Sequence, residues 1–284
     1  MTIDEIISLA LAEDIGDGDH TTLATIPADA PGKAILLVKE DGILCGAALA
    51  ELIFNHVDPS LLIDSRLHDG EVIHKGDIVF EVTGRQASIL KSERLVLNFM
   101  QRLSGIATAT GRIVKQLEGL QTRILDTRKT TPLLRELEKY AVRTGGGENH
   151  RMGLFDMVMI KDNHVDYAGG IVQAIDSVHR YFSLTGREHK VEIEVRNENE
   201  LKQVLDHGGV DRIMLDNFSV ENLDKAVHLI DGRYETEASG GITLDNIRKY
   251  AETGVDFISV GALTHQIRSL DMSLKAEQTA GNRQ

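Results

Sequence analysis

The sequence predicts an α/β protein in two parts, a small α+β unit followed by a (β/α) barrel that is closed or nearly closed. Three observations predict it. From about Lys33 to Val82, short apolar runs of β character are separated by turn signals such as Asp41-Gly42 and Lys75-Gly76-Asp77. After Leu120, apolar β-type runs alternate with segments of helical period, the signature of βαβ units and a parallel sheet. The stretch 126–164 holds seven of the chain's 31 Lys and Arg in 39 residues, several of them closing apolar runs, and the ends of barrel strands are where active sites lie.

Taken in order, Ile3, Ile6, Ile7, Ala10 and Leu11 recur at helical spacing and predict a short amphipathic helix over 3–13. The segment Glu13–Thr22, EDIGDGDHTT, is acidic and turn-rich; turn chemistry reads it as a capped loop, and its ligand spacing is irregular for a metal site. Ala34–Val38 and Gly42–Leu44 read as strands, Ala47–Phe54 as a helix, and Glu71–Phe80 as two short strands around a turn. Leu90–Leu117 has helical period with a break expected near Gly105, and Arg94, Asn98 and Arg102 within it read first as a solvated helix face. Six β-type runs follow: Arg123–Asp126, Met157–Lys161, Lys190–Val195, Asp211–Asp216, Tyr234–Ala238 and Phe257–Val260. Six is short of eight, so closure is inferred from the alternation alone. Residues 266–284 turn polar, and the last few are expected to fray.

The composition narrows the function. With 284 residues the chain is long enough for one large barrel or two domains. A net charge of −13 argues against nucleic acid or an anionic membrane as a partner, since both select basic surfaces. A cationic cluster in so acidic a chain points instead to a focused anion site. Cys45 is the only cysteine, which excludes an intrachain disulfide and a thiol-rich metal cluster. The amino terminus is acidic with no basic n-region, and no apolar run approaches the roughly 18–20 residues of a membrane span, so the chain reads as cytosolic.

The chemistry-bearing residues gather at the carboxyl ends of the later strands. The first of these strands ends in Asp126-Thr127-Arg128-Lys129 and the second in Lys161-Asp162-Asn163-His164. His150 and Arg151 follow Gly145, Gly146 and Gly147 across a short flexible loop. Glu192 and Glu194 alternate in VEIEV and so share one face, the barrel interior. Asp216 ends the fourth strand. Glu194 and Asp216 suit ribose hydroxyls or a divalent cation with its waters; Glu194 also suits a barrel-interior pairing with Lys161, and a Schiff-base role for Lys161 stays open. Ser239-Gly240-Gly241 and Gly261, with His265 just after, fit a phosphate site built from late strand-to-helix turns, where backbone N–H groups must approach closely. Ordinary turns would look the same.

These residues resemble the quinolinate phosphoribosyltransferase family, the carboxylating nicotinate-nucleotide pyrophosphorylases. The resemblance runs over nearly the whole chain through EDIGDGDHTT, SERLVLNFMQRLSGIAT, DTRKTTP, KYAVRTGGGENHRMGL, IKDNH, VEIEV, MLDNF, EASGGI and ETGVDFISVGALTH, and this order of motifs is highly specific. It implies a type II phosphoribosyltransferase fold: an amino-terminal α/β sandwich over 1–106, rejoined by 267–284, and an incomplete, open α/β barrel over 107–266 carrying the active site. It implies a homodimer or higher oligomer in which the sandwich of one subunit covers the barrel mouth of the other, with Arg94 reaching into the partner's site. By the same resemblance Arg128, His150 and Arg151 bind the two carboxylates of quinolinate, and Lys129 and Lys161 contact anionic groups of the substrates. Glu194 and Asp216 hold the ribose of phosphoribosyl pyrophosphate, directly or through Mg2+, while Ser239, Gly240 and Gly261 cradle its 5′-phosphate with His265 nearby.

Two departures stand out: Leu133 where the family usually has glycine, and Thr144 where Cys or Ala is common. Neither carries an implied contact. Three other readings are weighed against this one. A nicotinate phosphoribosyltransferase would need only one carboxylate pocket, whereas Arg94, Arg128, His150 and Arg151 crowd together as for a dicarboxylate. A barrel aldolase would use Lys161. A non-catalytic metabolite-binding relative would be expected to lack Lys129, Glu194 or Asp216, and all three are present.

Overall fold

The structure is a computed structural model and describes residues 1–277. In chain order its first elements are α1 (Ile3–Ile15), α2 (His20–Thr25), β1 (Pro31–Val38), β2 (Gly42–Ile43), α3 (Ala47–Val57), β3 (Leu62–Ser65), β4 (Val72–Ile73), β5 (Ile78–Arg85) and α4 (Gln86–Gln116). There follow β6 (Arg123–Leu125), α5 (Arg135–Thr144), β7 (Val158–Ile160), α6 (Asp162–Ala168), α7 (Ile171–Thr185), β8 (Val191–Val195), α8 (Glu198–His207) and β9 (Arg212–Asp216). The last are α9 (Val220–Ile230), β10 (Glu235–Ser239), α10 (Ile247–Ala251), β11 (Phe257–Ser259), α11 (Ala262–His265) and β12 (Met272–Ala276). Contacts divide the chain into two units. One holds Met1–Gly111, Thr131–Gly146 and the chain from Gln266; the other holds Arg112–Thr130 and Gly147–His265. The fraying expected of the last few residues concerns positions outside those described.

In the first unit, α1 starts on a reciprocal cap: Thr2 Oγ1 accepts the Glu5 N–H, and the Glu5 carboxylate accepts the Thr2 N–H. Asp19 then caps α2 through the Thr22 N–H, so the loop expected over Glu13–Thr22 shrinks to the turn at 16–19. Four strands form an antiparallel sheet in the order β12-β1-β5-β3, and β2 pairs with β4. Alternation along β1 buries Ala34, Leu36 and Val38, and the Phe54 ring of α3 meets Phe80 of β5 edge to face at 5.7 Å. The strands β3 and β12 have no clear signal in the sequence, being four and five residues long with mixed polarity. The break expected at Gly105 does not occur; α4 runs unbroken for 31 residues. Glycine is required there by packing instead, because a Cβ would lie 2.4 Å from the Arg268 carbonyl oxygen.

The second unit is a six-stranded parallel sheet in the order β6-β11-β10-β9-β8-β7. Among the described residues no ladder joins β6 to β7, so the sheet is open, as the resemblance implied; the alternation alone predicts it closed or nearly closed. Six strands, three of only three residues, are too few to close around a filled interior. Register decides which side chains share a face. One face is mainly apolar, with Ile124, Ile160, Ile193, Ile213, Leu215, Ala238 and Ile258. The opposite row contains Glu192 and Glu194 of β8, Arg212 and Asp216 of β9, Glu237 and Ser239 of β10, and Ser259 of β11. A polar inner row ending at the carboxyl edge is what makes a site possible here.

Candidate active site

Lys161 stands at the amino cap of α6, one residue beyond β7, and its backbone N–H donates to His164 Nδ1 at 2.9 Å. Its Nζ lies 2.9 Å from Glu194 Oε2 on the neighbouring strand. Glu194 is buried, whereas the Lys161 side chain is 45% exposed and reachable by a ligand. Asp216 follows one strand further on. Burial and then the Glu194 charge push its carboxyl above the ordinary range, while Lys161 and an Asn217 hydrogen bond act the other way. The net surplus of negative charge favours an arriving cation or a developing positive charge. The donor set is all oxygen, as a hard divalent cation prefers.

Lys129, Gly261 and His265 come together beside these strand ends. A Cβ on Gly261 would sit 3.1 Å from His265 Nε2 and 3.2 Å from Lys129 Cδ, so the two side chains flank a position only glycine fills comfortably. Thr264 Oγ1 donates to the Lys129 carbonyl at 2.8 Å and ties this turn to the basic loop. Ser239 and Gly240 form the adjacent turn. Gly240 has φ +93°, and a Cβ there would fall 2.1 Å from Asn217 Oδ1, so the turn after β10 presses directly on the residue after Asp216.

The third group is Arg128, His150 and Arg151. Asp126, at the end of β6 and fully buried, accepts the His150 N–H at 2.9 Å and an Asn149 side-chain N–H at 2.5 Å. Arg151 Nη1 donates to the Met157 carbonyl at 3.2 Å. Burial and then the nearby Arg128 charge pull the Arg151 guanidinium below its usual value, so two like charges are held close in a half-buried place. Such a pair is relieved by an anion with two or more oxygens.

His150 is placed differently from its neighbours. Its ring is buried, with Nε2 2.9 Å from Glu192 Oε2 and 3.4 Å from Glu237 Oε2, and its Nδ1 accepts the Arg151 backbone N–H at 2.6 Å. Burial disfavours the imidazolium, but the two carboxylates outweigh it and draw the ring up to about 9. The Arg151 contact opposes that second proton, because an N–H aimed at Nδ1 leaves no room for a hydrogen on it. The amide cannot give up its hydrogen, so the contact decides, and the ring carries one proton, on Nε2. Glu237 is in turn bound by Arg212 Nη1 at 3.1 Å. Sequence reasoning gave Glu237 and Arg212 no part in this site; charged residues an even number of positions apart, Glu235 and Glu237 in ETEAS and Arg212 and Asp216 in RIMLD, were the available signal.

Arg94 lies in the first unit on α4, where it lines a cavity with Glu13, Asn98, Arg102 and Leu133. Beside it, Arg102 Nε and Nη2 both donate to Oε1 of the fully buried Glu138, at 2.9 and 2.6 Å, and both residues hold Thr131. Leu133 has φ +69°, a left-handed conformation that glycine adopts without strain and leucine does not.

Comparison with known proteins matches residues 19–104 to the model of the quinolinate phosphoribosyl transferase N-terminal domain and residues 106–275 to that of its C-terminal domain. The chain is 51% identical over 287 aligned residues to the chloroplastic nicotinate-nucleotide pyrophosphorylase [carboxylating] of Arabidopsis thaliana, covering 96% of this chain and 82% of that protein. It is 42% identical over 276 residues to the probable nicotinate-nucleotide pyrophosphorylase [carboxylating] of Bacillus subtilis, covering 96% and 93%. The solved nicotinate-nucleotide pyrophosphorylase of Francisella tularensis superposes with a TM-score of 0.91 at 42% identity, over 97% of this chain and 96% of that one.

Proposed function

The chain belongs to the quinolinate phosphoribosyltransferase family, and from that premise we propose how its own side chains divide the work. It transfers the phosphoribosyl group of phosphoribosyl pyrophosphate to quinolinate with loss of carbon dioxide, yielding nicotinate mononucleotide and pyrophosphate. The observation that supports the assignment of roles is the nearness of the like charges Arg128 and Arg151, with Glu192 facing Arg151 from the strand whose end carries Glu194.

In this reading Arg128 and Arg151 take the quinolinate carboxylates, and the planar forks of arginine fix the ring. Lys129 and Lys161 bind anionic groups of the two substrates as point charges, with Gly261, Ser239, Gly240 and His265 around the 5′-phosphate. The quinolinate nitrogen forms a bond to ribose C1 as the bond from C1 to the pyrophosphate oxygen breaks. Positive charge grows on the ribose, and Glu194 and Asp216 lie where it is stabilised. The ring nitrogen is now quaternary, so the pair of electrons released when the adjacent carboxylate leaves as carbon dioxide is held by the ring, and C2 then takes a proton. Positioning the two substrates contributes on the order of 7–11 kcal/mol to such a step. Glu194 and Asp216 fit Mg2+, directly or through water, and the ion when bound would neutralise pyrophosphate charge. His150 serves the carboxylate site from beneath, through the backbone of Arg151.

Arg94 is assigned to the active site of a second copy in a homodimer or larger homo-oligomer, and the protein to the cytoplasm; no helix among the described residues is long and apolar enough to cross a membrane. The test is direct. Incubation with quinolinate, phosphoribosyl pyrophosphate and Mg2+ should release carbon dioxide and nicotinate mononucleotide in equal amounts, and nicotinate in place of quinolinate should give none. Turnover of nicotinate alone would move the protein to a non-decarboxylating activity.

A further inference from the structure

The basic segment at Asn149–Arg151 belongs to no helix or strand, yet its successive N–H groups at 150 and 151 are both taken by side chains. The first goes to Asp126 Oδ1 and the second to His150 Nδ1. The His150 ring can accept at Nδ1 only while its proton stays on Nε2, and what faces Nε2 is Glu192 at 2.9 Å and Glu237 at 3.4 Å. Both carboxylates are fully buried on the inner row of the sheet, on β8 and β10, and Arg212 of the strand between them binds Glu237. Burying a charged set costs several kcal/mol unless its members are held in good geometry, and none of Glu192, Glu237 or Arg212 is given a task by the transfer reaction itself.

We propose that Glu192 and Glu237 are positioning residues for the dicarboxylate site: they hold the His150 ring as the Nε2–H tautomer, so that Nδ1 fixes the Arg151 peptide and sets the guanidinium beside Arg128. The inference rests on the assignment of Arg151 to a quinolinate carboxylate. Its consequence is a specific split. Loss of the clamp loosens one arginine and weakens quinolinate binding, while the phosphoribosyl side, at the carboxyl ends of the same strands with Glu194, Asp216 and Ser239, keeps its own contacts. Lys161 and Glu194 sit one alternation step further along the same face and keep their own 2.9 Å contact.

The experiment uses the full-length protein with three variants, Glu192→Ala, Glu192→Gln and Glu237→Gln, and two readouts. Glu192→Ala should raise the KM for quinolinate at least tenfold, leave the KM for phosphoribosyl pyrophosphate within about twofold, and change kcat less than threefold. Glu192→Gln, whose amide oxygen can face Nε2–H in the carboxylate's place, should recover quinolinate KM to within about threefold of wild type, and Glu237→Gln should fall between the two. The second readout needs no turnover. In protein labelled with 15N-histidine, the His150 signal, identified by its loss in His150→Gln, should show an unprotonated Nδ1 and a protonated Nε2 in wild type and Glu192→Gln. That tautomer preference should vanish in Glu192→Ala. An unchanged quinolinate KM in Glu192→Ala, an equal rise in both KM values, or a wild-type ring protonated on Nδ1 would overturn the clamp. If wild type fails to turn over quinolinate, the parent assignment fails, and the tautomer measurement still decides whether the carboxylates hold the ring.

Discussion

Arg151→Ala tests the dicarboxylate site most sharply. Arg151 is half-buried, has one nitrogen committed to the Met157 carbonyl, and sits close to the Arg128 charge. A carboxylate placed against it gains a charge-assisted contact of about 1.5–3 kcal/mol. At about 1.4 kcal/mol per decade, its removal should lower kcat/KM for quinolinate about 10- to 150-fold. The same substitution frees Arg128 from a like charge, which returns part of the loss and favours the lower half of that range. The assay is steady-state turnover with each substrate varied in turn. The KM for phosphoribosyl pyrophosphate should stay within twofold. In the double variant with Arg128→Ala, the losses should be less than additive in free energy, because both side chains serve one ligand. A fall of less than threefold for quinolinate, or an equal loss of affinity for phosphoribosyl pyrophosphate, would refute the assignment.

Further outcomes follow from other contacts. Lys161→Met removes the charge that holds the Asp216 carboxyl down against burial and Glu194, so an acid limb set by Asp216 in the pH–rate profile should move to higher pH. Asp58 is buried and accepts from Ser60 N–H, Ser60 Oγ, Ser88 Oγ and Arg85. Those Ser60, Ser88 and Arg85 contacts hold its carboxyl well below the ordinary 3.8, so its contribution is complete above that pH and is lost as pH falls toward the folded value. Asp58→Ala should cost about 2–3 kcal/mol in denaturant titration at pH 7, and less near pH 2. Burial pushes the Cys45 thiol up to about 12, with a smaller push from Asp69, so a thiol reagent should label the native protein far more slowly than the unfolded chain. Leu133→Gly relieves a left-handed strain of about 1–2 kcal/mol at the usual glycine entropy cost of about 0.5–1 kcal/mol, so stability should rise slightly or hold, measured by urea titration.

Much of the site was legible because strand-end positions follow from local pattern. Lys161, Glu194 and Asp216 each close or alternate within an apolar run, and parallel strands deliver such residues to one edge whatever their exact register. The pairing of Lys161 with Glu194 was open from sequence and is realised at 2.9 Å. His150 shows where pattern ends. Its place beside Arg151 in a basic stretch suggests a ligand contact, but the structure turns both ring nitrogens toward protein groups.

The sequence by itself determined the kinds of element, the order of motifs, the excess of negative charge around a local basic cluster, and the chemistry that cluster suits. These are short-range properties, written in periods of two and 3.6 and in side-chain type. Only tertiary structure decided that Glu192 and Glu237, 45 residues apart in number, meet one imidazole. Only tertiary structure showed that Gly105 seats a passing carbonyl inside an unbroken helix, and that Met272–Ala276 completes a sheet begun at Pro31. Such choices depend on strand register and on which segments pack together, and those are set by the summed burial of the whole chain rather than by any local run.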